Sequence, residues 1–162
     1  MNYHSLGEFV DRLESENELV RIKDHVSPIL EITEITDRVS KQSDGGKALL
    51  FENVEGSNIP VLINAFGSSK RINIALSVHD IEKIPNDIDK YLKIKPPSSL
   101  LEKVKLLPML LEAAAFPPKM VSSRQACCQE VVLTGDDVDL EKIPILQCWP
   151  NDAGRFITFP IV

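Results

Sequence analysis

The sequence predicts an α/β domain followed by a segment of β-strands. Over the first 80 residues, apolar side chains at helical spacing alternate with short apolar runs bounded by turn residues. Prolines then interrupt the chain repeatedly between residues 85 and 118, which is typical of short helices that link two domains. From residue 129 onward, short apolar runs alternate with turns. We therefore expect an N-terminal domain with a helical linker at 1–118 and a second domain that starts at 119–162.

The first helix is predicted by its cap and its apolar stripe. Ser5 and Glu8 have the spacing of a capping box, and the stripe that follows consists of Leu6, Phe9, Val10 and Leu13. Residues 19–22 form an apolar run that predicts a short strand. A second helix should begin at the N-cap and first-turn proline Ser27-Pro28 and end at the glycines of 44–46.

Two further strands and a third helix complete the first domain. The strands are predicted at 48–51 and 59–63 with a turn at 55–58 between them, and Ser68-Ser69 should cap the helix. The element order is therefore helix, strand, helix, strand, strand, helix. The side chains expected to be largely buried are Leu6, Phe9, Leu13, Ile32, Ile35, Val39, Leu50 and Val61.

Three strands are predicted in the second domain, at 130–133, 145–149 and 155–162. The chain stops inside the last of them, and natural domains seldom end in an unpaired apolar strand. We therefore expect that these 162 residues are the N-terminal part of a longer protein. By themselves they should form a homo-oligomer through the open strand edges of 129–162, or else this segment should fold back onto the N-terminal domain.

Composition excludes several classes of function. The formal net charge is −6 and no basic tract could neutralise several phosphates, so no nucleic-acid partner is expected. No apolar run is long enough to span a bilayer, and the N-terminus lacks the basic and apolar pattern of a secretory signal. The expected location is cytoplasmic.

Side chains that could carry chemistry have simpler explanations. Cys127, Cys128 and Cys148 are odd in number and far from any histidine, so free thiols are favoured over disulfides or zinc ligands. Asp136-Asp137 lies in a predicted turn, and Asp80 of the pair His79-Asp80 suits a helix cap. No P-loop, dinucleotide-binding glycine motif or nucleophile elbow is present.

Longer segments resemble the UbiD family of decarboxylases, the 3-polyprenyl-4-hydroxybenzoate carboxy-lyase type. The similar segments keep the family's order along nearly the whole chain. They are GEFVDRL at 7–13, ELVRI at 18–22, ALLFENVEG at 48–56, IPVLINAFGS at 59–68, CQEVVLTGDDVDL at 128–140, IPIL at 143–146, CWP at 148–150 and GRFIT at 154–158. Cys127 and Ala153 depart from the family pattern, which has proline and glycine at these places.

The resemblance implies that the second domain is the start of a split β-barrel that holds flavin. It implies a non-oxidative decarboxylase of aromatic or α,β-unsaturated carboxylic acids, with 3-polyprenyl-4-hydroxybenzoate in quinone biosynthesis as one candidate substrate. The implied cofactors are prenylated FMN, a divalent metal (Mn or Mg) and potassium. Thr158 matches a family position near the flavin and is the one cofactor-binding residue assigned here. The family's catalytic and metal-ligating residues would follow Val162, so the 162 residues alone should be inactive and should bind no cofactor.

Two other functions fit parts of the sequence. A non-catalytic accessory domain used for oligomer contacts is one alternative. A flavin-binding split-barrel oxidoreductase is the other, and it fits the second domain but not the N-terminal segments.

Overall fold

A computed structural model describes residues 3–93, 104, 106–108, 110, 111 and 120–158. The chain forms two compact units, one of residues 1–82 with 139–162 and the other of residues 83–138. The predicted domain boundary at residue 119 stays a prediction, since residues 112–119 lie outside the described part. Most of the predicted helical linker lies there too, although residues 104, 106–108, 110 and 111 are helical.

The first unit contains the six elements in the predicted order. They are α1 (Leu6–Ser15), β1 (Leu19–Val26), α2 (Glu31–Ser40), β2 (Ala48–Val54), β3 (Val61–Ile63) and α3 (Ser69–Leu76). The second unit contains α4 (Ile84–Leu92). In the described ranges, no helix is long and apolar enough to cross a membrane.

A three-stranded sheet in the order β1-β2-β3 organises the first unit. β2 lies in the centre, parallel to β1 and antiparallel to β3. A parallel neighbour requires a crossover connection, and α2 supplies it between β1 and β2. The central strand is consequently apolar on both faces, with Ala48, Leu49, Leu50 and Phe51 all buried.

The two faces of the sheet bury two separate apolar clusters. Phe9, Val10 and Leu13 of α1 pack with Leu19 and Leu50, and the other members of this cluster include Ala48 and the partly buried Ile74 and Ala75 of α3. On the opposite face, α2 packs against the sheet in a second cluster. Its buried members are Val26, Ile32, Leu49, Phe51 and Val54, and Ile35, Val39, Val61 and Leu146 are partly buried against them. The predicted core is confirmed for Phe9, Leu13, Ile32 and Leu50, which are buried. The predicted Ile35, Val39 and Val61 are partly buried, and Leu6 is exposed.

Local signals placed α1 and α3 correctly. The hydroxyl oxygen of Ser5 accepts a hydrogen bond from Glu8 N at 3.2 Å, and that of Ser68 accepts one from Arg71 N at 3.2 Å. The predicted start of the second helix was wrong. The helix begins at Glu31, and Ser27 instead lies in the turn before it.

The structure also corrects the strands predicted in the C-terminal part. Residues 130–133 and 155–158 carry no regular secondary structure, and of 145–149 only Gln147 forms a β-bridge, with Ile29. Residues 159–162 lie outside the described part. A strand needs a neighbour to satisfy its backbone groups, and an apolar run alone does not provide one.

Candidate functional site

Residues 143–158 form an open cavity beside Thr158, the residue that sequence resemblance assigned to flavin binding. The cavity has a volume of about 490 Å³, and its lining is mostly apolar: Pro144, Ile145, Leu146, Cys148, Phe156 and Ile157, with Asp152 and Thr158 as polar members. Thr158 itself is exposed. A concave apolar surface with few polar groups is the usual form of a small-molecule site.

A tight turn between Trp149 and Asp152 shapes one side of this cavity. Asp152 N donates to Trp149 O at 3.1 Å, which closes the turn. The Asp152 carboxylate oxygen Oδ2 accepts hydrogen bonds from Trp149 N at 2.9 Å and Cys148 N at 3.2 Å. An aspartate that accepts from nearby backbone amides holds a turn without regular secondary structure, so the cavity wall is fixed locally.

Within the first unit, the same segment is hydrogen-bonded to the N-terminal part of the chain near Leu30. Leu30 N donates to Gln147 O at 2.9 Å, and Gln147 N donates to Pro28 O at 3.2 Å. Ser57 Oγ adds a hydrogen bond to Lys142 O at 2.7 Å. We call these contacts the clasp: residues 28–30 and Ser57 on one side and residues 142–147 on the other.

The clasp contains a strained backbone turn. Leu30 has φ 66° and ψ −39°, and Glu31 N donates to Ile29 O at 2.8 Å across it. This is the geometry of a γ-turn with positive φ, which is rare for a residue that has a side chain. Such strain persists only where surrounding contacts hold it, and it occurs preferentially at functional sites.

A second cavity, of about 520 Å³, lies next to the clasp. Leu30, Cys148, Trp149 and Pro150 give it an apolar wall, and Glu31, Glu34 and Asp37 of α2 give it an acidic edge. These acids are engaged locally. Glu34 pairs with Arg38 and Asp37 with Lys41, and Glu31 Oε2 accepts a hydrogen bond from Ser27 N at 2.7 Å. The Thr33 hydroxyl oxygen is buried and has no hydrogen-bond partner among the residues that the structure describes.

Sequence reasoning did not find the polar cluster around Arg71. This arginine is fully buried, and its Nη1 donates to Glu18 Oε2 at 3.0 Å and to Gly46 O at 2.5 Å. The neighbouring Asn64 donates through Nδ2 to Gly45 O at 2.8 Å and to Lys47 O at 2.9 Å. Arg71 and Asn64 thereby fix the 45–47 loop against the start of α3.

The cluster changes the acidity of Glu18. Burial alone would raise the pKa of this carboxyl, but hydrogen bonds from Lys70 and Arg71 outweigh burial and hold its pKa below the ordinary value. Within the described part of the chain, Arg71 Nε has no hydrogen-bond partner. The available sequence signal was the Ser68 cap, which places Arg71 in the first turn of α3.

No group of three or more His, Cys, Asp or Glu side chains that could hold a metal ion occurs in the ranges that the structure describes. The acids at 136 and 137 lie in a short 3-10 turn, as the turn interpretation predicted. Asp80 accepts a hydrogen bond from Glu82 N at 3.0 Å and so caps the turn that follows, as predicted.

Comparison with family models gives two matches. The model described as the 3-octaprenyl-4-hydroxybenzoate carboxy-lyase N-terminal domain covers residues 10–92. The Rift-related domain of the same family covers residues 119–162.

Curated relatives are similar in sequence but much longer. An uncharacterized protein of Aquifex aeolicus is 52% identical over 97% of this chain, and one of Archaeoglobus fulgidus is 48% identical over 100% of it. The chain spans 32% of the length of each relative.

Solved structures share the fold. The UbiD-class enzyme HmfF from Pelotomaculum thermopropionicum, in an evolved dimeric form in complex with prFMN, is 26% identical with a TM-score of 0.66, and the match covers 94% of this chain and 30% of that one. The vanillic acid decarboxylase of Sedimentibacter hydroxybenzoicus in open form is 22% identical with a TM-score of 0.71, covering 96% and 30%, which is a likeness of fold alone.

Proposed function

Because the chain belongs to the UbiD family of carboxy-lyases, we propose that it is the N-terminal part of a prenylated-FMN-dependent decarboxylase. The proposed reaction is non-oxidative loss of CO2 from an aromatic or α,β-unsaturated carboxylic acid. The observation that carries this proposal is the similarity to HmfF, which extends over 94% of the chain and includes a structure in complex with prFMN.

The cavity beside Thr158 fits one edge of a flavin ring system. Ile145, Leu146 and Phe156 offer an apolar lining for a planar ring, and the Thr158 hydroxyl can both donate and accept a hydrogen bond. When bound, prenylated FMN supplies the electron sink for the negative charge left by departing CO2. In this proposal Thr158 holds the ring edge, and the turn closed by Asp152 keeps the lining in place.

Catalysis and metal binding are proposed to need residues outside this chain. The catalytic residues and the ligands for Mn or Mg, and for potassium, are proposed to come from the other two thirds of the longer protein. The 162 residues alone are then inactive. The second family match supports a split β-barrel that begins in 119–162. A homo-oligomer and a cytoplasmic location are further parts of the same proposal.

The test uses the longer protein, reconstituted with prenylated FMN, Mn²⁺ and K⁺. We expect CO2 release from at least one acid in a panel of aromatic and α,β-unsaturated acids that includes 3-polyprenyl-4-hydroxybenzoate. Thr158→Val should lower flavin occupancy, whereas Thr134→Val, at an exposed turn position with no capping hydrogen bond, should leave it unchanged. A flavin-loaded protein that releases no CO2 from any acid would favour the accessory-domain alternative, and substrate-dependent flavin reduction would favour the oxidoreductase.

A further inference from the structure

Two consecutive thiols are exposed in the unit of residues 83–138. Cys127 and Cys128 open a single 3-10 turn that ends at Gln129. Gln129 N donates to Ala126 O at 2.9 Å, and Glu130 N donates to Cys127 O at 3.2 Å. Successive side chains on a 3-10 turn are about 120° apart, since there are three residues per turn. The two thiols therefore leave the backbone on adjacent sides, and not on opposite sides as they would in a strand.

This pair is poorly suited to an internal disulfide. No cis peptide occurs among the residues that the structure describes, and the Cα atoms of consecutive residues joined by a trans peptide are about 3.8 Å apart. Disulfides usually span Cα separations of about 4.4–6.8 Å. An internal disulfide would be strained and easily reduced, so Cys127 and Cys128 remain available as two thiols.

The pair is also poorly suited to zinc. Structural zinc takes four ligands, and within the described ranges no cluster of three or more candidate ligands exists. Thiolates favour soft ions. A site with only two sulfur atoms therefore suits a soft ion or compound that needs no more than two sulfur ligands. We propose that Cys127 and Cys128 form a dithiol site for a soft, thiophilic species, either Cu(I) or a trivalent arsenical that carries one organic group. This inference does not depend on the decarboxylase proposal.

Phenylarsine oxide is the probe for the arsenic case. Its arsenic forms two As–S bonds, and its oxygen leaves as water with the two thiol protons, so arsenic stays trivalent and nothing is oxidised or reduced. We expect a one-to-one adduct by intact-mass analysis that survives excess monothiol and is removed by dithiothreitol. Cys127→Ser and Cys128→Ser should each abolish it, and Cys148→Ser, which removes the third thiol, should retain it.

For the copper case, the same variants compete with a chromogenic chelator for Cu(I), and the loss of the chelator's colour measures binding. Comparison with the arsenical adduct shows which of the two ligands the site takes. Binding of either probe that requires both Cys127 and Cys128 supports the site and identifies its ligand class. The inference is overturned if the wild-type protein binds neither probe, if either single variant keeps full affinity, or if Cys148→Ser alone removes binding. Since the readouts are mass and metal competition, decarboxylase activity does not affect them.

Discussion

The guanidinium of Arg71 lies 3.0 Å from the carboxylate of Glu18, and thereby joins the first turn of α3 to the residue that precedes β1. Arg71 has no exposed surface, and the Glu18 side chain is 18% exposed. The same guanidinium donates to the carbonyl of Gly46. Three segments distant in sequence therefore depend on one charged side chain.

Replacement of Arg71 by methionine should destabilise the protein strongly. Removing one partner of a buried ion pair typically costs about 3–5 kcal/mol. Glu18 keeps its contact with Lys70, so we expect a loss toward the lower end of that range. Denaturant unfolding measures the change. Arg38→Met is the matched control, since Arg38 pairs with Glu34 on the exposed face of α2 and such pairs contribute about 0–1 kcal/mol. Equal losses in both variants would show that burial of Arg71 has no special role.

Stability should fall as pH falls into the acidic range, and Glu18 should account for part of the loss. Its pKa in the folded state lies below that in the unfolded chain, so the unfolded state binds more protons as pH decreases. The contribution is complete above the unfolded pKa of about 4.3 and is lost as pH falls through the folded value. Glu18→Gln should be less stable at neutral pH and should show a flatter stability profile between pH 5 and pH 2.

A methyl group at Gly67 should not be tolerated. A Cβ there would lie 1.9 Å from Asn64 Oδ1 and 2.8 Å from Arg71 Nη2, so it would displace the polar cluster. We expect Gly67→Ala to cost at least about 2 kcal/mol, as overpacking typically costs 1–3 kcal/mol and hydrogen bonds are lost in addition. Gly7 lies within α1, and the atom nearest to an added Cβ would be Ser5 Oγ at 3.5 Å, so Gly7→Ala should be neutral or stabilising. Unchanged thermal unfolding of Gly67→Ala would contradict the cluster geometry.

Leu30 should tolerate glycine better than valine. Glycine adopts positive φ without a steric penalty, whereas a β-branched residue is poorly accommodated there. We expect Leu30→Val to be less stable than Leu30→Gly by about 1 kcal/mol or more, the usual cost of such backbone strain. Chemical unfolding of the two variants provides the comparison. The reverse order would mean that the side chain of residue 30, and not its backbone, determines stability in the clasp.

Self-association of the 162-residue protein should depend on exposed apolar side chains in its C-terminal part. Val131, Val132, Phe156 and Ile157 are each more than half exposed. Apolar surface of this kind drives association in water. Sedimentation should show a dimer or larger oligomer that weakens when Phe156 and Ile157 are both changed to aspartate. A monomeric wild-type protein would contradict this, and so would a double variant that associates as strongly as wild type.

The elements of the first unit were predictable because their signals are local. Ser5 and Ser68 cap helices through hydrogen bonds that span three residues. Short apolar runs bounded by turn residues identified β1 and β2. Leu6 was misplaced because it precedes the part of α1 that faces the sheet.

The errors arose where structure depends on distant partners. Residues 130–133 have strand composition, but no neighbouring strand pairs with them in the described structure. The start of α2 was predicted at Ser27, yet a γ-turn at Leu30 precedes the helix. Leu30 N in this turn donates to Gln147 O, a partner distant in sequence. The local spacing places Arg71 in the first turn of α3, but it does not reveal that the side chain is buried, because its partners come from two other segments, Glu18 and Gly45-Gly46.

The clasp has a consequence for biosynthesis. The first unit combines residues 1–82 with 139–162, so its backbone contacts from Pro28 and Leu30 to Gln147 cannot form until more than a hundred further residues have been translated. The α1–α3 layer can condense early, since its contacts are comparatively local. The contact between Leu30 and Gln147 cannot form before residue 147 has been translated, and residues 83–138 are synthesised before that point. We therefore expect the yield of folded protein to depend on the rate of translation between residues 83 and 147. A pause before residue 147 should leave the α2 side of the sheet exposed to non-native pairing.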